Sequence, residues 1–326
     1  MRPSGRGGGR NRRPRALAPG FDSWRILSGM RAAASRMRSK LLKFQSTMSK
    51  PPGFQDDVRR GGRFEFGANW ARFLSVLDEE RISIAETSLR EMLSVDNLSG
   101  MRFLDAGSGS GLFSLAARRL GATVHSFDFD PQSVACTAEL RRRYFPGDSM
   151  WTIETGSVLD PNYVETLGQF DVVYSWGVLH HTGAMWTAIE RLIGCVATDG
   201  TIYIAIYNDQ GWKSHFWWFV KWFYNKLPRG LNRIYAYAVG IAAHAANLVK
   251  QTILLRPFAA IRAIARYKSK RGMSLMHDMV DWVGGFPFEF ASYDVLKGYF
   301  ESRGFHLANG KRATSLGCHE MVFRRT

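Results

Sequence analysis

Residues 103 to 111 read Phe-Leu-Asp-Ala-Gly-Ser-Gly-Ser-Gly, and this stretch decides the fold. An apolar run from Met101 to Leu104 ends in Asp105, glycines follow at 107, 109 and 111, and an alanine-rich stretch opens at Leu112. A strand that turns at once into a helix needs glycine where φ is positive and where a ligand must approach backbone carrying no Cβ. The helix start that follows presents free N–H groups, which makes it a place for polar and anionic ligand groups. Dinucleotide-binding turns read G-x-G-x-x-G. Counted from Gly107, the third glycine of that pattern falls on Leu112, and the acidic residue two positions before the first glycine has no place in it.

Working outward, Ala122 to Phe127 reads as a second strand ending at Asp128, 23 residues beyond Asp105. That interval holds one helix and one strand. An acidic residue about 20 positions past a glycine turn is where α/β nucleoside-binding folds hold ribose hydroxyls, because a carboxylate accepts both hydrogen bonds. Asp130-Pro131 reads as a helix N-cap with proline at the first helical position. Further strands are expected at Trp151 to Thr155, Phe170 to Ser175 and, after the turn at Asp199-Gly200, Thr201 to Tyr207. Alternation of short β-rich runs with helical stretches is the pattern of a parallel sheet built from βαβ units. A helix at Tyr293 to Ser302 and two strands, Gly304 to Leu307 and His319 to Arg324, are expected to close the chain.

The stretch D-x-G-x-G-x-G from Asp105 to Gly111 resembles motif I of the class I S-adenosylmethionine (SAM) dependent methyltransferases. The resemblance covers residues 100–207 strongly and 290–326 weakly. It implies a doubly wound, mostly parallel, Rossmann-like sheet of seven strands with an antiparallel edge hairpin and a helical insertion after the fifth strand. It also implies SAM as cofactor, held by Asp105, Gly107, Ser108, Gly109, Gly111, Asp128, Phe129, Ser157, Val158 and Trp176. Adenine contacts fall at Gly156-Ser157-Val158 in this family. Many members carry Asp where this chain has Ser157, which brings a hydrogen-bonding group without charge. A Leu-His-His sequence like Leu179-His180-His181 occurs in many similar methyltransferases.

The resemblance divides the chain into a basic tail (1–50), an N-terminal helical segment (51–98), a SAM-binding core (99–207), a helical insertion acting as substrate cap (208–289) and a closing helix with two strands (290–326). Apolar content of 45% supports an ordinary core. The net charge is +16, but residues 1–50 hold 13 Lys or Arg against one acid, Asp22. That local +12 leaves +4 for all the rest. Three readings stand for this Gly-, Arg- and Ser-rich tail: an arm drawn to RNA or membrane by charge, an organelle leader, or upstream sequence before a start at Met48, which is favoured. It has no continuous apolar run, so it does not read as a secretory signal. The three cysteines, Cys136, Cys195 and Cys318, are far apart, with neither metal-ligand spacing nor a disulfide framework. No metal is expected, and a cytoplasmic location fits, with peripheral membrane contact through residues 212–265.

Ahead of the glycine turn, Phe64 to Trp70 precedes an amphipathic helix expected over Ala71 to Leu93, and Trp70 and Phe73 are placed to cover the cofactor or to pack in the core. Within the insertion, Trp217, Trp218, Trp222 and Phe216 stand among Lys213, Lys221 and Lys226, which suits a membrane interface or a soluble lid. The stretch from Ile234 to Leu255 is interrupted by His244, Asn247, Lys250 and Gln251, against a spanning helix. His277 and Asp281 share a helix face and read as a hydrogen-bonded pair rather than a metal site. Insertions after the fifth strand sit at the sheet edge where open α/β folds bind ligands. His180 and His181 are therefore candidates for a general base, and Asn208 and Asp209 for orienting a polar acceptor. The acceptor is expected to be a small molecule, by its oxygen, on a quinol, sugar or lipid-linked compound. A tRNA methyltransferase is the first alternative, although no RNA-binding module and no NPPY-type sequence is present. A SAM-binding protein without turnover is the second.

Overall fold

A computed structural model describes residues 53–67, 70, 73–228, 230–253, 280 and 282–326. The tail, the His277–Asp281 pair and part of the insertion lie outside the described residues. Helix α1 (Phe54–Arg59) is short, and α2 (Glu79–Leu93) follows. The long amphipathic helix expected from Ala71 begins instead at Glu79. Asp78 sets that start sharply, because its side chain accepts from the Arg81 amide at 2.9 Å as an N-cap.

The core then alternates as expected: β1 (Arg102–Ala106), α3 (Leu112–Arg119), β2 (Thr123–Asp128), α4 (Pro131–Tyr144), β3 (Trp151–Thr155), α5 (Pro161–Leu167), β4 (Phe170–Trp176), a 3₁₀ turn (Leu179–His181), α6 (Met185–Gly194) and β5 (Val196–Tyr207). Two helices follow, α7 (Trp212–Lys226) and α8 (Leu231–Ile253), then α9 (Tyr293–Glu301), β6 (Phe305–Lys311) and β7 (Cys318–Arg325). The seven strands run in the order β3-β2-β1-β4-β5-β7-β6. The first five are mutually parallel and β7 is antiparallel to both its neighbours, so the sheet is mixed.

Strand β5 starts five residues before the expected Thr201. Val196 already pairs with Phe170, the ladder resumes at Thr201 against Val172, and Asp199 takes φ 58° in the irregularity between. Alternation along β1 gives the sheet its two faces. Phe103 packs with Leu89, Leu115 and Leu140 under α2, α3 and α4, while Leu104 packs with Leu192, Leu296 and Phe300 under α6 and α9. Strands covered on both faces read as near-continuous apolar runs, as Val172 to Tyr174 in β4 and Ile202 to Ile206 in β5 do. The carboxyl ends of β1, β2, β4 and β5 form one edge.

Candidate active site

The glycine loop is shaped by backbone that other residues could not supply. The amides of Gly107 and Ser108 both donate to the Phe127 carbonyl, at 2.8 and 3.1 Å. Gly107 has φ 85°, and a Cβ there would lie 2.4 Å from the Val178 side chain. Gly111 caps α3 at φ 81° with no side-chain cap, leaving the helix start to the loop. Asp128, at the end of β2, accepts from the Gly109 amide at 2.9 Å and from the Asp130 amide at 2.8 Å. Burial pushes its carboxyl up to about 6 against those two amides.

The other expected cofactor residues divide. Asp105 is buried and accepts from Ser114 Oγ, which meets Ser126 Oγ at 2.7 Å; Trp151 Nε1 donates to that same Ser126 hydroxyl at 2.9 Å. Its carboxyl thus ties α3 to β1 inside the sheet layer, and burial pushes it up to about 7. Ser108 Oγ lies 3.0 Å from Thr137 Oγ1. Ser157 Oγ accepts from the Leu159 amide at 3.2 Å, and Val158 is buried in the core. Phe129 packs edge-on to Phe54, and Trp176 stands 43% exposed at the end of β4.

A strap of residues ahead of α2 crosses this edge, and it contains the residue that sequence reasoning missed. Arg63 donates to the His181 carbonyl at 3.0 Å, and its guanidinium lies 5.1 Å from the Phe129 ring centre. Burial lowers its pKa, opposed by Asp57, Asp128 and Asp130, and a guanidinium stays charged under such conditions. Phe64 donates its amide to the Phe286 carbonyl, the Gly67 amide donates to Asp130 Oδ2 at 2.9 Å, and Trp70 lies against Gly109. The signal available in the sequence was an arginine leading an aromatic run.

The two histidines sit in the 3₁₀ turn after β4. His180 is 1% exposed, its ring 4.0 Å from that of Tyr207. Its Nδ1 is buried with no partner among the described residues. His181 Nδ1 donates to the Pro287 carbonyl at 2.6 Å, because a carbonyl only accepts, which leaves Nε2 as its lone-pair nitrogen. Burial holds the pKa of His180 well below the usual histidine value and that of His181 down to about 3.

Beside them a narrow cleft is lined by Tyr207, Asn208, Ser214, Trp217, Lys221 and Phe288. Lys221 is 2% exposed, donates to the Trp282 carbonyl, lies 5.0 Å from the Phe288 ring centre and is lowered to about 7 by burial. Asn208 reaches the cleft and donates to the Ser315 carbonyl at 3.2 Å. Asp209 does not join them: it is exposed, and its carboxylate accepts from the Gly211 amide at 2.7 Å, closing the turn into α7. Among the described residues no three His, Cys, Asp or Glu are grouped to hold a metal ion.

The chain is similar to known methyltransferases. The family model for a methyltransferase domain matches residues 77–249. The magnesium-protoporphyrin O-methyltransferase of Rhodobacter capsulatus is 27% identical over 187 residues, which cover 52% of this chain and 79% of that protein. The ribosomal protein L11 methyltransferase of Methylococcus capsulatus is 41% identical over 71 residues, 22% of this chain and only 24% of that protein's length. Among solved structures, the magnesium protoporphyrin IX methyltransferase of Synechocystis PCC 6803 with bound SAH aligns at a TM-score of 0.45 and 13% identity, covering 88% of this chain and 95% of that one.

Proposed function

The chain belongs to the methyltransferase-domain family, and from that premise we propose that it transfers the methyl group of SAM to an oxygen of a small-molecule acceptor. The acceptor is a quinol, a sugar or a lipid-linked compound. The observation that carries the reading is the shared edge. The Gly107–Gly111 loop with Asp128 stands at the ends of β1 and β2, and a cleft beside the histidines stands at the ends of β4 and β5. One relative is named as an O-methyltransferase of a small molecule.

The loop fits the cofactor, since a Cβ at Gly107 or Gly109 would meet Val178 or Trp70, and Asp128 offers two acceptor oxygens for ribose hydroxyls. When bound, SAM supplies an electrophilic methyl carbon and a neutral thioether leaving group. Asp128 and the loop would hold it, with Ser157, Val158 and Trp176 the further residues assigned to contact it. Asp105 supports the loop from beneath through Ser114. Arg63 fixes the turn carrying the histidines through the His181 carbonyl, and Trp70 covers the loop at Gly109.

His181 is assigned as the proton acceptor. Its Nδ1–H is held by Pro287, so Nε2 presents a lone pair. A hydroxyl oxygen that has gained a methyl group becomes strongly acidic, so a base of low pKa suffices when the proton leaves late. His180 positions that ring by packing between it and Tyr207. Asn208 and Lys221 line the space for the acceptor, under the cap formed by α7 and the segment from Trp282 to Phe288. Calorimetry with SAM, followed by SAH release across quinols, sugars and lipid-linked hydroxyl compounds, tests the reading. SAM binding with turnover on a hydroxyl compound supports it. Turnover on tRNA alone, or binding with no turnover on any acceptor, overturns it.

A further inference from the structure

Helix α7 has two unlike faces. Ser214, Trp217 and Lys221 line the cleft, and Val220 and Tyr224 are buried with Ala236 and Val283. On the other side Trp212, Phe216, Phe219 and Phe223 are 74%, 53%, 55% and 38% exposed. Their spacing of four, three and four residues places them in one stripe along the helix. Helix α8 continues the apolar surface with Leu231, Ile234, Ile241 and Val249, 55–65% exposed. The Phe223 and Tyr235 rings meet at 5.2 Å, joining the two helices.

The sequences of α7 and α8 contain five Lys or Arg and no Asp or Glu. Residues 210–277 contain 12 Lys or Arg and no Asp or Glu. Lys213, Lys226 and Arg233 are exposed on the same two helices. Large exposed aromatic and aliphatic side chains in a stripe are costly in water and mark an interaction surface. No helix among the described residues is long and apolar enough to cross a membrane.

We propose that the outward face of α7 and α8 docks on an anionic lipid surface, lying in the interface rather than spanning it. An acid-free basic segment is attracted to a negatively charged leaflet, and Trp and Phe insert at headgroup depth. The aliphatic residues of α8 select this occupant over RNA, which would use the aromatic rings and cations but gains nothing from Leu, Ile and Val. Because the opposite face of α7 lines the cleft, docking brings the cleft to an acceptor resident in the bilayer. In naming an amphiphilic acceptor the inference rests on the proposed methyl transfer; the docking itself does not.

The full chain is sedimented with phosphatidylcholine vesicles, with and without phosphatidylglycerol, while tryptophan emission is recorded. Binding about tenfold or more tighter to the anionic vesicles, with a blue shift and weakening in salt, is expected. The triple variant Trp212→Ser, Phe216→Ser, Phe219→Ser changes only exposed side chains. It should lose most of that binding and the blue shift while SAM calorimetry is unchanged. If it folds poorly, Lys213→Glu, Lys226→Glu, Arg233→Glu takes its place and should lose the preference for anionic vesicles. Undiminished binding by the variant would assign the attraction to the basic tail and overturn the proposal. So would a stripe that holds a dimer together with no vesicle binding, or one whose loss abolishes binding to RNA alone. A wild-type chain that docks but binds no SAM would sink the methyl-transfer reading and leave the docking intact.

Discussion

The Gly109 amide donates to Asp128 Oδ2 at 2.9 Å, joining the tip of the glycine loop to the carboxylate that ends β2. The loop and the carboxylate proposed to hold the ribose are thus one hydrogen-bonded unit. Asp128→Ala should weaken SAM binding by ~1.5–3 kcal/mol, the range for hydrogen bonds to a charged group, as read by calorimetry. Burial raises this carboxyl to about 6. In the proposed role its ionised form accepts both ribose hydroxyls, so wild-type SAM affinity should fall as pH drops through about 6. Asp128→Asn should flatten that fall. Affinity unchanged in a folded Asp128→Ala variant would remove the assignment.

Gly107→Ala should destabilise the chain by ~2–5 kcal/mol, combining the cost of a positive φ for a residue with Cβ and that of overpacking. The new methyl would lie 2.4 Å from Val178 Cγ1. Adding Val178→Ala should restore the packing part and leave the backbone part, so the double variant melts between the single variant and the wild type. A melting temperature for Gly107→Ala equal to that of the wild type would contradict the loop geometry.

His181→Ala should reduce turnover by roughly 10²–10⁴-fold with SAM affinity nearly unchanged, the ordinary range for acid–base catalysis. Because burial holds its pKa down to about 3, the wild-type profile should show no acid limb from this group near the usual histidine pKa. That replaces the near-neutral titration expected of an exposed histidine. His180→Ala should lower the melting temperature, since it removes a buried ring packed on Tyr207 and His181. Turnover slowed only a few-fold by His181→Ala would make both histidines structural.

Lys221 gives a stability test with a definite sign. Burial lowers its pKa to about 7 from the 10.5 of an exposed lysine. Between those values the unfolded chain binds a proton that the folded chain does not, so this group makes stability rise with pH over that window. Lys221→Met removes the dependence. Its advantage over the wild type, roughly 1–3 kcal/mol before the lost bond to Trp282 is deducted, should be largest below about pH 7 and shrink toward about pH 10. Urea unfolding at both ends of the window measures it. An advantage that grows with pH would refute the assignment.

The core was legible because its signals are local. Strand β3 falls at Trp151–Thr155 as read, and β2 and β4 lie within a residue of their expected ends, since apolar runs between glycine and capping residues carry their own period. Helix α2 was overextended because an apolar pattern continued past Asp78, and only the cap geometry fixed its start. At the site, Asp128 stood out by its distance from Asp105. Arg63 did not, because nothing near it in the chain announces the His181 carbonyl 118 residues away. Asp209 looked suitable beside Asn208, but two neighbours on an extended chain point to opposite sides, and its carboxylate closes a turn instead.

The sequence by itself determined the alternation of strands and helices, the glycine loop, and the acidic residue at the end of β2, because each is written in steric and hydrogen-bonding preferences spanning a few residues. The tertiary structure alone decided which polar groups lose water. Packing turned Asp105 inward to Ser114, held His180 and His181 neutral against Tyr207, and buried Lys221 while leaving Phe219 two residues before it in the open. Burial is set by neighbours from distant parts of the chain, and the chemistry of a titratable side chain follows its burial.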